Sequence, residues 1–194
     1  MFKYDIHVHA KPSIHGKAAL QNYVDMAVKV GLDGICFTEH SHTEKFHTGK
    51  VELSVPDGFT VMFAQEVTTS DYGDVLVFGA NHGIKRGVKL SAIDPNNEYA
   101  IVKAHPWRGR CTLTHGWWDR FDAIELFNGG RQNDETAKLQ EFILSMGLTT
   151  TGGSDAHRRR GVGKCFTHTV NRVSCIDDLV REIVEGHVIG GTNG

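Results

Sequence analysis

The chain has 194 residues, which suits one domain with a substantial buried core. Hydrophobic residues make up 40% of the chain and charged residues 23%, and the net charge is −2 with neutral histidines, so no global basic field points to a nucleic-acid or membrane partner. Because the N-terminus has no signal-peptide pattern, no apolar run approaches the roughly 20 residues that span a bilayer, and the cysteines form no C-x-x-C pair, we expect a cytoplasmic protein.

Strands and helices alternate along the chain. The first strand ends at His9, and further main strands are predicted at 34–38, 60–64, 75–78, 99–103, 123–127 and 148–151. Helices are predicted at about 17–30, 134–146 and 176–185, and a short strand near 166–170. Such alternation indicates a parallel sheet, and a complete eight-unit barrel usually needs about 250 residues. We therefore predict an α/β fold of the distorted seven-stranded β/α barrel type.

Histidines and carboxylates recur at the ends of these strands, in a chain with 12 histidines. His7 and His9 flank one apolar residue, and alternation along a strand points residues i and i+2 to the same face. The other strand ends carry Glu39, His40, Glu66, His105, Asp155 and His157. In β/α barrels the active site lies at the C-terminal ends of the strands. The pattern therefore predicts a metal-dependent hydrolase with its site at that end.

The types of ligand indicate the metals. Imidazole and carboxylate groups without thiolate, in numbers beyond those that one ion needs, predict two or three divalent ions such as Zn, Mn or Fe. Glu66 is a natural bridging ligand because its two oxygens can face different ions. His15 follows His9 closely enough to fold back over the site. Arg108 could hold a phosphate through its bidentate fork, and the arginines at 158–160 could do the same or lie solvated.

Six segments resemble, in order, successive motifs of the PHP family, named for polymerases and histidinol phosphatases. They are His7-Val8-His9, the segment from Gly34 to His40, Gln65-Glu66-Val67, the segment from Ala104 to Arg108, the segment from Ala123 to Asn128, and Gly153-Ser154-Asp155-Ala156-His157. The resemblance implies that residues 1–194 form a single PHP-like domain, in which 161–194 is the closing strand-helix region. It also implies a seven-stranded barrel that binds two or three metal ions and hydrolyses phosphoesters.

The resemblance also implies a distribution of ligands. One ion would be held by His7, His9, Glu66 and Asp155, the second by Glu66 and His105, and the third by His15, His40 and His157. Many relatives have Asp where this chain has Glu39, and some have Asp in place of His15. Some relatives supply a further histidine to the second ion after the fourth strand, where this chain offers Asn81 or His82.

The expected reaction is attack on phosphorus by a hydroxide that bridges the metal ions. Arg108 or Arg158 would hold the phosphate, and a metal ion or a protonated His40 or His157 would ease departure of the leaving alkoxide. The expected substrate is a small phosphorylated metabolite, a nucleotide or a short oligonucleotide end, because the net charge of −2 provides no extended basic face for long nucleic acid. Two other functions stay open. One is an amidohydrolase-like metal-dependent hydrolase, which often carries a carbamylated lysine where this chain offers Glu66, and the other is a non-catalytic metal-binding module.

Overall fold

The computed structural model describes residues 1–10, 12–40, 52–94, 96, 98–108, 117–130 and 134–193, with the backbone alone for 12–19, 134 and 135. The strands are β1 Phe2–Val8, β2 Gly34–Glu39, β3 Thr60–Thr69, β4 Gly73–Phe78, β5 Ala100–Lys103, β6 Ala123–Asn128, β7 Thr150–Gly153, β8 Cys165–Thr169 and β9 Val188–Thr192. The helices within the described residues are α1 Pro12–Lys29, α2 Asp134–Ser145 and α3 Ile176–Val184.

One sheet contains all the described strands, in the order β7-β6-β5-β4-β3-β2-β1-β8-β9. The predicted α/β barrel is confirmed in its general form, but the sheet has nine strands rather than seven. The strand that sequence patterns missed is β9. It contains Gly190 and Gly191, which weaken any strand pattern. In the folded chain Gly190 packs so closely that an added Cβ would meet the carbonyl oxygen of Thr151.

The predicted parallel sheet is confirmed only in part, because the sheet is mixed: β1 with β2, β2 with β3, β5 with β6 and β6 with β7 are parallel pairs. Strand β4 runs antiparallel to both β3 and β5, and β8 runs antiparallel to β1 and β9. The reason lies in the connections: only residues 70–72 separate β3 from β4, whereas a crossover between parallel strands needs about a dozen residues. The reversal of β4 affects the site, because the N-terminal end of this strand, and not its C-terminal end, faces the ligands.

The sheet curls until its β7 side meets β1. The amide of Asp155 donates to the carbonyl of His7 at 2.7 Å, and the amide of His9 donates to the carbonyl of Ala156 at 2.9 Å. Alternate side chains from six strands fill the interior: Tyr4, Ile6, Cys36, Met62, Ala64, Leu76, Phe78, Ala100, Val102 and Ala123. Ligands delivered by different strands therefore meet at one end of a packed core.

Helices α1 and α2 pack against the outer face of the sheet, whereas α3 packs against the barrel interior. Leu20 and Val24 of α1 pack with Ile35 and Phe37 of β2, while Leu179 of α3 joins the interior cluster. Of the helices that the structure describes, none combines the length and apolar character that a membrane crossing requires.

Candidate metal centre

A bulge near the end of β1 turns two histidines into the barrel. Asp5 pairs with Ile35 and Val8 with Phe37, so β1 uses one residue more than β2 over this stretch. The interior-facing positions before the bulge are Tyr4 and Ile6, and beyond it they are His7 and His9. Both histidines are buried, and their Nε2 atoms lie 3.1 Å apart. The two imidazoles therefore lie side by side, as strand alternation predicts.

Glu66 turns its two oxygens to different sides of the cluster. Its Oε1 is 2.9 Å from His105 Nε2, while its Oε2 is 3.2 Å from His9 Nε2 and 3.6 Å from His7 Nε2. The predicted strand at 60–64 implies that Glu66 follows the strand end. In the structure β3 continues to Thr69, so Glu66 lies inside the strand. A buried carboxylate in this position can bridge two cations.

Two of the predicted ligands have a left-handed backbone. The φ angle is +50° at Asp155 and +23° at His105, a region that residues other than glycine rarely occupy. Strain of this kind costs on the order of 1–3 kcal/mol and is found where side chains must be aimed for function. Asp155 Oδ1 lies 3.5 Å from His9 Nε2 and 3.8 Å from His7 Nε2. The strained backbone thus brings Asp155 to the same point as the β1 histidines.

Two histidines lie on the solvent side of this cluster. His40 is 61% exposed, with Nδ1 3.1 Å from Glu66 Oε2, and His157 is 48% exposed. The His9 ring lies against both, with centroid distances of 4.5 Å to His40 and 4.6 Å to His157. The residue expected to join them, His15, has its backbone in α1, and its side chain lies outside the described residues.

Glu125 on β6 is a component that sequence analysis missed. Its Oε1 accepts a hydrogen bond from Nδ1 of His7 at 2.8 Å. Its Oε2 accepts from the backbone amide of His105 at 2.7 Å and from Nδ2 of Asn128 at 2.9 Å. A carboxylate on Nδ1 fixes the tautomer that leaves Nε2 as a lone pair for a metal. A carboxylate in the middle of an apolar strand was the signal that could have revealed it.

Burial and charge set the protonation of the cluster. Burial lowers the pKa of His9 to about 4, against the opposing effect of Glu66, so this imidazole is neutral at pH 7. Burial also acts to lower the pKa of His7, but the carboxylates of Glu125 and Glu66 outweigh it and raise that pKa well above its ordinary value. Burial would raise the pKa of both Glu66 and Asp155, yet the charge of His7 holds both below their ordinary values. Both carboxylates are therefore ionised.

Arg108 is held by the protein. Its Nη1 donates to Asp155 Oδ2 at 2.5 Å and its Nη2 to Asn128 Oδ1 at 3.0 Å. In this structure it therefore orients Asp155, in addition to any contact that it makes with a substrate. Glu39 has a comparable role near β1, where its Oε1 accepts from the backbone amide of Ala10 at 2.6 Å.

The proposed extra ligands after the fourth strand, Asn81 and His82, do not reach the cluster. Strand β4 runs antiparallel to its neighbours, so its C-terminal residue Phe78 pairs with Ala100 at the start of β5, opposite the end that leads to His105. His82 is exposed, and its Nδ1 lies 3.0 Å from Asn81 Oδ1. The reversal of β4 is the physical reason that the residues after this strand lie away from the cluster.

The donor set fits divalent cations. Potential ligand atoms converge to within 4.8 Å in four overlapping groups of described residues. The groups are His7, His9 and Glu66; His7, His105 and Asp155; Glu66, Asp74 and His105; and His9, His40 and His157. With Nδ1 of His7 on Glu125, a cation that displaces the Nε2 proton of His7 would be bound by the facing Nε2 lone pairs of His7 and His9. Nitrogen and oxygen donors of this kind suit Zn, Mn or Fe.

Family models match most of the chain. The model described as PHP domain matches residues 5–142, and the model described as PHP-associated matches residues 134–188. No curated protein matches this chain at a significant level.

Solved structures share the fold. PsfC from Pseudomonas syringae PB-5123 is 19% identical with a TM-score of 0.75, over 100% of this chain and 92% of that one. A candidate metal-dependent phosphoesterase from Bifidobacterium adolescentis ATCC 15703 is 17% identical with a TM-score of 0.54, over 96% of both chains. The lesion-specific endonuclease PfuEndoQ from Pyrococcus furiosus is 14% identical with a TM-score of 0.56, over 95% of this chain and 56% of that one. At these identities the similarity establishes the fold.

Proposed function

This chain belongs to the PHP family, whose model matches well over half of it, and we propose that it is a phosphoesterase that depends on two or three divalent ions, Zn, Mn or Fe. The observation that carries the proposal is the buried convergence of three imidazoles and two carboxylates, from His7, His9, His105, Glu66 and Asp155. When bound there, divalent ions would lower the pKa of a water molecule and neutralise charge on phosphoryl oxygens.

The exposed histidines define the side from which a substrate approaches. On one side the ligand cluster packs against the barrel interior. On the other side His40 and His157 lie between the cluster and solvent. In the form with two ions, His40 and His157 are not ligands, and either imidazole, when protonated, can donate a proton to the leaving alkoxide. Loss of either one should therefore impair turnover of substrates with poor leaving groups more than turnover of aryl phosphates.

Within the part of the chain that the structure describes, exposed positive charge near the site is limited in extent. Arg108 is partly exposed and has N–H donors beyond the two that contact Asp155 and Asn128. The turn after His157 carries the exposed arginines at 158–160. This charge suits one or two phosphates, which supports a small phosphorylated metabolite, a nucleotide or a short oligonucleotide end as the substrate rather than long nucleic acid.

The surroundings of Lys103 weigh against the amidohydrolase-like alternative. That chemistry often uses a carbamylated lysine between two metals. Lys103 is the buried lysine among the described residues, and its Nζ donates to the carbonyls of Asp74 and Ala104 at 2.7 and 2.8 Å. Glu66 occupies the position between the ligand groups. Phosphoester hydrolysis is therefore the better-supported function.

The test combines metal analysis with a substrate screen. Metal-stripped protein is reloaded with Zn, Mn or Fe, its ion content is measured by elemental analysis, and turnover is followed on aryl phosphates, mononucleotides, short single strands and a cyclic amide. We expect two or three ions per chain and metal-dependent release of phosphate or nucleotide. Full metal loading without turnover of any substrate would instead support a non-catalytic module, and hydrolysis of the amide alone would support the amidohydrolase-like reading. At most one ion would contradict a multinuclear centre.

A further inference from the structure

Strand β4 lies between the two strands that supply one side of the metal centre. The sheet order places it between β3, which carries Glu66, and β5, which leads into His105. Because β4 is antiparallel to both, its first residues lie at the end where the ligands gather. The amide of Ala104 donates to the carbonyl of Asp74 at 3.3 Å, so Asp74 is the β4 residue next to the segment that carries His105.

The side chain of Asp74 faces the same way as that of Glu66. Asp74 pairs in register with Thr68, and Thr68 follows Glu66 by two positions on β3. Residues two apart on a strand share a face, as do residues directly opposite on paired strands. The side chains confirm this, because Thr68 Oγ1 donates to Asp74 Oδ1 at 2.7 Å. Ligand atoms of Glu66, Asp74 and His105 lie within 4.8 Å of one another.

We propose that Asp74 is the third protein ligand of the second metal position, together with Glu66 and His105; this inference rests on the multinuclear centre of the proposed function. Without Asp74, that position has one imidazole and one shared carboxylate. With it, the position has three protein ligands and an open coordination site, the usual composition of a catalytic metal site. Two carboxylates for one imidazole favour a cation that accepts oxygen ligands readily, such as Mn²⁺.

The proposal explains how the chain completes this position without a histidine after β4. In an antiparallel strand the residues that follow the C-terminal end are carried away from the ligands, and the residues at the N-terminal end replace them. Gly73, with φ +71°, ends the tight connection from β3 and lets the strand begin directly at the site. Asp74 therefore occupies the place in the centre that Asn81 and His82 cannot reach.

The experiment titrates metal-stripped protein with Mn²⁺ and measures the number of bound ions by elemental analysis and by electron paramagnetic resonance. Asp74→Asn keeps an oxygen that can accept from Thr68 but removes the anionic ligand. Thr68→Val removes the hydrogen bond and keeps the carboxylate, so it serves as the matched structural control. We expect Asp74→Asn to lose one ion, or to bind it at least tenfold more weakly, while Thr68→Val retains the wild-type number. Circular dichroism checks that each variant is folded.

The outcomes separate this inference from the proposed function. Wild-type ion number and affinity in Asp74→Asn would overturn the role of Asp74, even if the wild-type protein hydrolyses phosphoesters. An equal loss in Thr68→Val would also overturn it, because a distorted strand pair would then be the cause. A wild-type protein that binds a single ion would remove the second position altogether. Conversely, a wild-type protein that binds these ions through Asp74 and hydrolyses no phosphoester would contradict the proposed function and leave the ligand assignment in place.

Discussion

Replacing Glu125 with Gln should weaken metal binding more than it disturbs the fold. The two oxygens of Glu125 accept hydrogen bonds from Nδ1 of His7, from the amide of His105 and from Nδ2 of Asn128. A glutamine has one acceptor oxygen, so its amino group would face either the donors of His105 and Asn128 or Nδ1 of His7, which could accept from it only in the tautomer whose Nε2 carries the proton and cannot bind a metal. Rotation of the Asn128 amide cannot relieve this, because its Oδ1 already accepts from Arg108 and from the amide of Gly130.

The magnitude follows from these contacts. One buried donor left without an acceptor costs about 1–3 kcal/mol of folding free energy. Loss of the carboxylate that orients and polarises a ligating imidazole typically costs 10- to 100-fold in metal affinity, or about 1.4 to 2.7 kcal/mol. The assay is calorimetric titration of metal-stripped Glu125→Gln with Mn²⁺, combined with urea unfolding.

Glu182 provides the matched control. It is also buried, and it accepts from the amide and Nδ2 of Asn171 at 2.9 and 2.8 Å, on α3 and away from the metal centre. Glu182→Gln should lower the free energy of unfolding by no more than Glu125→Gln does, because the exposed Asn171 amide can rotate to accept from the new amino group, and it should leave metal affinity unchanged. The reasoning is refuted if folded Glu125→Gln binds Mn²⁺ within about twofold of wild type, or if Glu182→Gln loses the same affinity.

Three further predictions test the site. His105→Ala and Asp155→Ala should each abolish phosphoesterase activity and keep the circular dichroism spectrum; activity within about tenfold of wild type, about 1.4 kcal/mol in barrier, would mean that the site is misplaced. Gly153→Ala should lower the melting temperature and the metal affinity together, because the added Cβ would meet the Cβ of His7. Overpacking of this kind costs about 1–3 kcal/mol of folding free energy, and each kcal/mol lowers the melting temperature by about 2–4 °C. Gly31→Ala, where nothing lies within 4 Å of the new Cβ, should lower the melting temperature alone, and an equal loss of metal affinity would contradict the packing argument. Mononucleotides and short single strands should be hydrolysed in preference to a long duplex with blocked ends, and efficient internal cleavage of that duplex would contradict the substrate proposal.

Local sequence pattern predicted the pairing of His7 with His9 because alternation is a property of the strand itself. It did not predict the bulge in β1, which depends on pairing with β2. The direction of β4 was misjudged from a general alternation of strands and helices. The predicted strands at 60–64 and 75–78 left ten residues between them, whereas β3 continues to Thr69 and only 70–72 connect it to β4, a length that requires an antiparallel pair.

Long-range partners account for the rest of the difference. In the sequence Glu125 is a single charged residue within an apolar strand. Its role is evident only from its contact with His7, which lies 118 positions away in the chain. Asp5 is similar: its carboxylate accepts from the amides of Ser154 and Gly163 at 2.9 and 2.8 Å, and burial raises its pKa to about 6. Such contacts join distant segments, so they become visible only when the barrel is assembled.

The central place of β1 determines when the site can form during synthesis. Its neighbours in the sheet are β2, which is made soon after it, and β8, which is made much later. Until β8 emerges, one edge of β1 stays unpaired, and such contacts between distant segments are slow to form. His7 and His9 are therefore synthesised, on a strand with one unpaired edge, well before Asp155 is translated. We expect metal to be bound after the barrel closes, so the nascent chain folds first and acquires its ions afterwards.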